Sequence, residues 1–188
     1  MNNNLQQILH WALNPLKDGI WAKKIAKKNR DMAKSKEKSW GNLMIGQISN
    51  NQWTTKLGEG LVYDVLKLLG KNPHRPSKKG GYLPDWETDD AIWEVKTRNW
   101  TTSGTAGEKV LGTMYKYSDI PRLYGKPLKI VCVAYQEWEL SEGNTRVFGD
   151  VSEDKQKILT LVKSMNIEYL KFNDLIQEYI LMRHITDE

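Results

Sequence analysis

Four side chains between residues 59 and 96 carry the chemistry that this sequence offers: Glu59, Asp85, Glu94 and Lys96. The stretch Ala91-Ile92-Trp93-Glu94-Val95-Lys96-Thr97 has the Ile, Trp and Val content of a strand, yet it holds a carboxylate and an ammonium two positions apart. Alternation along a strand puts Ile92, Glu94 and Lys96 on one face and Trp93 and Val95 on the other. A short strand predicted over 82–87 precedes it, and Thr88, Asp89 and Asp90 are turn residues that join the two into a hairpin. With an odd register, residue 85 opposite 92 or 94, Asp85 lands on the face of Glu94 and Lys96.

Two carboxylates so close are unfavourable unless a cation compensates them, and a cluster of oxygen donors suits a hard divalent ion such as Mg²⁺ or Mn²⁺. Beside a scissile phosphate, the Lys96 ammonium could stabilise developing negative charge, or orient or deprotonate a metal-acidified water. The backbone carbonyl of Val95 is a further candidate oxygen ligand. A helix is predicted over 54–69, opened by Thr54-Thr55 and closed by Gly70, with Val62, Leu66 and Leu69 at the spacing of one face. Glu59 lies three residues back on that stripe, so a third carboxylate points to the core side.

Pro84-Asp85, a gap of eight residues and then Glu94-Val95-Lys96 resemble the PD-(D/E)xK motif of the restriction-endonuclease-like nuclease superfamily. The resemblance covers roughly 54–136. It implies an α/β fold of the α+β mixed-sheet kind, with helices flanking a central mixed sheet. It also implies Asp85 and Glu94 as metal ligands, Lys96 as the catalytic lysine and Glu59 as an accessory ligand at the catalytic site. The implied cofactor is Mg²⁺, for which Mn²⁺ may substitute, with no organic small molecule.

The remaining elements must hold that hairpin in place. Residues 5–13 read as a short helix stopped at Asn14-Pro15, and 16–38 as a second, strongly basic one carrying Lys23, Lys24, Lys27, Lys28 and Arg30. A helix is predicted over 106–118 and a buried central strand over 128–136. Ser141-Glu142-Gly143-Asn144 suggests a hairpin into a strand near 145–149. The chain then reads helix 153–165 with Ser152 as its cap, strand 167–172 and helix 174–183. We divide it into a basic helical arm, 1–53, and a catalytic domain, 54–188.

A net charge of +5 and a pI near 9.1 make a polyanion a reasonable partner. Arg98, Asn99, Thr101, Thr102 and Ser103 leave the catalytic strand where they could meet phosphates or base edges, although a solvated turn accounts for them equally. Lys109 and Lys116 could line a DNA groove or be ordinary surface lysines. Trp86, Trp93 and Trp100 read as packing residues, and His10, His74 and His184 are too scattered for catalysis. The single cysteine, Cys132, lies in an apolar run and reads as a core residue, and no signal or membrane-spanning segment is evident. Both favour an intracellular, cytoplasmic location.

The reading that follows is a Mg²⁺-dependent endonuclease of double-stranded DNA, of the compact type II restriction kind, acting as a homodimer. A structure-selective nuclease such as a junction resolvase, or a DNA-binding module without hydrolysis, are the alternatives.

Overall fold

The computed structural model describes residues 3–13, 27–48, 51–101 and 106–186. Three helices, α1 (Asn3–Leu13), α2 (Lys27–Met44) and α3 (Trp53–Leu68), precede the hairpin of β1 (Trp86–Glu87) and β2 (Ile92–Arg98). Short helices α4 (Ala106–Leu111), α5 (Thr113–Lys116) and α6 (Ile120–Tyr124) lead to β3 (Leu128–Ala134). Then come α7 (Tyr135–Glu142), α8 (Glu153–Ser164), β4 (Ile167–Lys171) and α9 (Phe172–Thr186).

The four strands form one sheet in the order β1-β2-β3-β4, antiparallel between β1 and β2 and parallel across β2, β3 and β4. Helices cover both faces, as parallel strands require, and this is the mixed α+β sheet that the sequence led us to expect. Alternation sorts the core. Trp93, Val95, Val131 and Val133 pack with Leu57, Leu61, Val62, Val65 and Leu66 of α3 and with Trp11 of α1. On the opposite face Ile92, Leu128, Ile130 and Ile167 meet Tyr117, Ile120, Tyr124 and Val162. Each buried aliphatic of the α3 stripe contributes about 1.5–3 kcal/mol of burial, so the stripe fixes α3 firmly on the sheet. Contact is closest at Gly58, where an added Cβ would lie 1.7 Å from Thr97 Oγ1. Glu59 is the next residue.

Several elements differ from expectation for identifiable reasons. The strand expected over 82–87 is reduced to Trp86–Glu87, because Pro84 cannot donate to a ladder. Lys79 and Tyr82 instead close their own turn through Gly80 and Gly81, at φ +57 and +87. The helix expected over 106–118 breaks at Gly112, and α6 begins afresh with a proline in its first turn. The strand expected to reach 136 stops at Ala134, whose φ of 56 turns the chain into α7. No strand forms at 145–149. Val147 and Phe148 instead donate to the Leu140 carbonyl, and Phe148 packs with Val110, Cys132 and Leu140 as a core plug. Ser152 caps α8 as expected, accepting from the Lys155 amide at 3.5 Å. Thr54 and Thr55 do not cap α3, which starts one residue earlier at Trp53.

The helix expected over 16–38 is described from Lys27 and continues to Met44, where Trp40 and Met44 reach the main core; Lys23 and Lys24 lie outside the described residues. Residues 3–13 and 27–48 share that core with the 54–188 unit. Trp11 is fully buried within it, and the Glu37 carboxylate on α2 is buried too. Glu37 accepts from Trp11 Nε1 (3.0 Å), the amides of Trp100 (2.8 Å) and Thr101 (3.0 Å), Thr101 Oγ1 (2.5 Å) and Asn99 Nδ2 (3.3 Å). Arg30, Lys34 and Lys36 are exposed on α2, on either side of its buried Ala33 and Glu37. No described helix is long and apolar enough to cross a membrane.

Candidate active site

The hairpin has the odd register: Trp86 faces Trp93 and Glu87 faces Ile92, so one further step brings Asp85 opposite Glu94. Paired antiparallel residues share a face, and Asp85, Glu94 and Lys96 therefore converge. Because β1 begins only at Trp86, the edge of β2 beyond Trp93 is free of a strand partner on that side. Asp85 fills part of the gap, its Oδ2 accepting the Val95 amide at 2.7 Å. A strand residue turns its N–H and C=O to the same side, so the Val95 carbonyl faces this open edge as well.

The electrostatics of the pair are unfavourable without a cation. Asp85 is raised to about 7, first by burial and then by the Glu94 charge; the Val95 amide and Lys96 pull the other way. Glu94 is 4 % exposed, and one of its oxygens, Oε1, accepts from Lys96. The other, Oε2, is buried with no hydrogen-bond partner. A buried carboxylate oxygen left bare costs on the order of 1–3 kcal/mol, more when charged, and is repaid by a cation or donor brought to it.

Glu59 reaches this cluster differently. Its helix covers the opposite face of the sheet, so its carboxylate approaches around the β1 edge, close enough for its charge to raise Asp85 further. There Arg75 Nη2 donates to Glu59 Oε2 at 2.6 Å, and Arg75 Nη1 donates to the Asp85 carbonyl at 2.9 Å. The Arg75 guanidinium lies 4.0 Å from the centre of the Trp86 ring, and Trp86 Nε1 donates to the Glu59 carbonyl at 3.0 Å. Arg75 is 55 % exposed, so this ion pair is solvent-screened and contributes about 1 kcal/mol or less.

Among the described residues no three His, Cys, Asp or Glu side chains close on one point to hold a metal ion. The donors nevertheless fit a hard divalent ion. Asp85, the bare Oε2 of Glu94 and the edge-facing Val95 carbonyl are all oxygens, with Glu59 a rim carboxylate now engaged by Arg75.

Next to Lys96 opens a cleft of about 490 Å³, lined among others by Lys109, Thr113, Lys116, Tyr117 and Gln136. Lys109 and Lys116 are exposed and bring positive charge to it. Tyr117 lies between two ammonium groups, 5.8 Å from Lys96 and 4.7 Å from Lys116, and burial followed by the Glu94 charge pushes its hydroxyl up to about 12. The phenol therefore stays protonated, and its hydroxyl is directed at the Glu94 carboxylate, whose hydrogen bond also holds the proton on. Gln136 is 3 % exposed, and its Nε2 makes no hydrogen bond.

The loop leaving β2 is engaged inward. Arg98 is buried, ion-paired with Glu139 of α7, with its guanidinium 4.8 Å from the Tyr135 ring centre. Asn99 and Thr101 bond to Glu37 as described, which leaves Lys109 and Lys116 as the exposed cations among the expected nucleic-acid contacts; Thr102 and Ser103 lie outside the described residues. Trp93 and Trp100 are buried and Trp86 partly so, as packing residues should be. Cys132 is fully buried and its thiol is pushed up by burial.

Arg75, Tyr117 and Gln136 are the residues that sequence reasoning missed. Arg75 sits in the loop Lys71–Tyr82, and only its basic, proline-rich character was visible. No family model, no curated protein and no solved structure matches this chain.

Proposed function

We propose that this protein is a Mg²⁺-dependent phosphodiesterase acting on double-stranded DNA. The observation that carries this reading is the pairing of Asp85, raised to about 7, with Glu94, whose buried Oε2 has no partner, beside the ammonium of Lys96. A divalent ion bound there supplies positive charge for phosphate oxygens and lowers the pKa of a water for attack on phosphorus. The chain's own residues do the rest. Asp85 is fixed by the Val95 amide and Glu94 by Lys96, whose ammonium is placed to neutralise charge gathering on the phosphate. Lys109 and Lys116 attract the backbone along the cleft, and Tyr117 offers a neutral donor at its wall. Sequence-specific cleavage by a two-fold dimer, of the restriction type, is the finer form of this proposal.

A DNA-binding module without hydrolysis is the second reading. It is favoured by the ion pairs Lys96–Glu94, Arg75–Glu59 and, at 3.9 Å, Arg75–Asp85, which give each of the three acids a cation from within the chain.

Incubation of a long duplex of known sequence with the purified protein, in Mg²⁺ or in EDTA, separates the two. Discrete fragments in Mg²⁺ alone are expected, with the rate falling about 10²–10³-fold or more in Glu94→Ala and Lys96→Ala. Salt-sensitive binding with intact DNA in every lane would favour the module. Gel filtration with and without a duplex tests the dimer, which predicts twice the mass of one chain.

A further inference from the structure

Arg75 spans the edge of the sheet between two acids that belong to opposite faces. Its contacts are Glu59 Oε2 at 2.6 Å, the Asp85 carbonyl at 2.9 Å, Asp85 Oδ1 at 3.9 Å and the face of Trp86. The carboxylates are 16 % and 17 % exposed whereas Arg75 is 55 % exposed, so a cation on the rim covers anions set deeper. A guanidinium keeps its charge at any ordinary pH and leaves an anion only by moving away. Its bond to the Asp85 carbonyl and its stack on Trp86 need no carboxylate, so the side chain has a resting place at the rim when Glu59 is taken from it.

We propose that Arg75 is a displaceable counter-ion of the acid cluster, holding Glu59 while the site lacks a divalent cation and surrendering it when one binds. This rests on reading Asp85 and Glu94 as a cation site. Two effects of opposite sign follow. Arg75 competes with the divalent ion for Glu59 and repels it from the neighbouring oxygens. With no divalent ion present, the same charge offsets the acids that a DNA backbone would otherwise meet.

The test compares wild type, Arg75→Gln, Arg75→Lys and Asp85→Asn. Ca²⁺ binding without DNA is measured by calorimetry, and binding of a labelled duplex in EDTA by fluorescence anisotropy. Arg75→Gln is expected to bind Ca²⁺ about tenfold more tightly, as removal of one nearby charge at a partly exposed site predicts. In EDTA it should bind duplex several-fold more weakly, with a salt slope smaller by about one, and Arg75→Lys should restore both values towards wild type. A merely misfolded variant would lose both affinities together. Weaker Ca²⁺ binding in Arg75→Gln would overturn the proposal in favour of a guanidinium that preorganises Glu59. Unchanged Ca²⁺ binding, with Asp85→Asn still losing it, would overturn it while leaving the cation site intact. If neither wild type nor Arg75→Gln takes up Ca²⁺, the cation site itself fails and the counter-ion falls with it.

Discussion

Glu37 and Glu94 are both carboxylates with almost no exposure, and their surroundings are opposite. Glu37 is met by the indole of Trp11, two backbone amides, a hydroxyl and a carboxamide, so both of its oxygens are saturated by donors from two distant segments of chain. Glu94 has Lys96 on one oxygen, a buried second oxygen with no close donor, the Tyr117 hydroxyl nearby and a second acid opposite. A carboxylate buried to hold a fold together is surrounded by donors. One that leaves an acceptor bare beside a like charge costs stability and is a candidate functional group.

The contrast is most easily broken through stability. Glu37→Ala leaves Trp11 Nε1 and the amides of Trp100 and Thr101 without their acceptor, and at about 1–3 kcal/mol each the variant should lose at least about 3 kcal/mol in urea denaturation. Glu94→Gln removes a like charge and should be neutral or slightly stabilising without divalent ions. Equal losses in the two variants would erase the distinction. For the same reason, deleting residues 1–38 is a poor test of whether the basic arm grips DNA: it removes Trp11 and Glu37, and with them part of the core.

A packing change sharpens the contrast by disturbing one site alone. Gly58→Ala drives a methyl into Thr97 and should cost about 1–3 kcal/mol by overpacking α3 against β2. Glu59 moves with its helix, so Ca²⁺ affinity should fall as well, whereas Glu37 and its donors lie elsewhere. Loss of stability with unchanged Ca²⁺ affinity would show that Glu59 is no part of the cation site.

What could be read from the sequence follows the range of the forces involved. The hairpin itself was legible because strand alternation has period two and residues 88–90 are turn formers by chemistry; its register stayed conditional on the sequence alone, and the odd pairing that the fold adopts brings Asp85 to Glu94 and Lys96. The stripe of α3 was legible for the same local reason, and it led to Glu59. Arg75 was not, because its loop has no periodicity and its partners lie on a helix and a strand. Nor was Glu37, which stands in a lysine-rich stretch and meets Trp100 and Thr101 more than sixty residues away. The inward turn of Arg98 depended on α7, whose Tyr135-Gln136 start looked like the end of a strand until Ala134 took a positive φ.

The pH dependence of the acid pair has the clearest sign. Asp85 is near 3.8 when unfolded and about 7 when folded, so between those values the native state holds a proton that the unfolded state has lost. Stability therefore falls as pH rises from about 4 to about 7 and is level above. Asp85→Asn keeps an oxygen to accept the Val95 amide but does not titrate. The variant should match wild type near pH 4 and exceed it by a margin that grows up to about pH 7 and then stays level, measured by denaturation in EDTA. Glu137 is also raised to about 7, mainly by burial, and gives the same downward slope. It is present in both proteins, so it cancels in their difference. A difference independent of pH would mean that Asp85 ionises freely in the fold, and the contrast with Glu37 would then rest on Glu94 alone. A difference that vanishes when Mg²⁺ is added, because the ion compensates the charge in wild type and has lost a ligand in the variant, would tie the cost of this acid pair to divalent-ion binding.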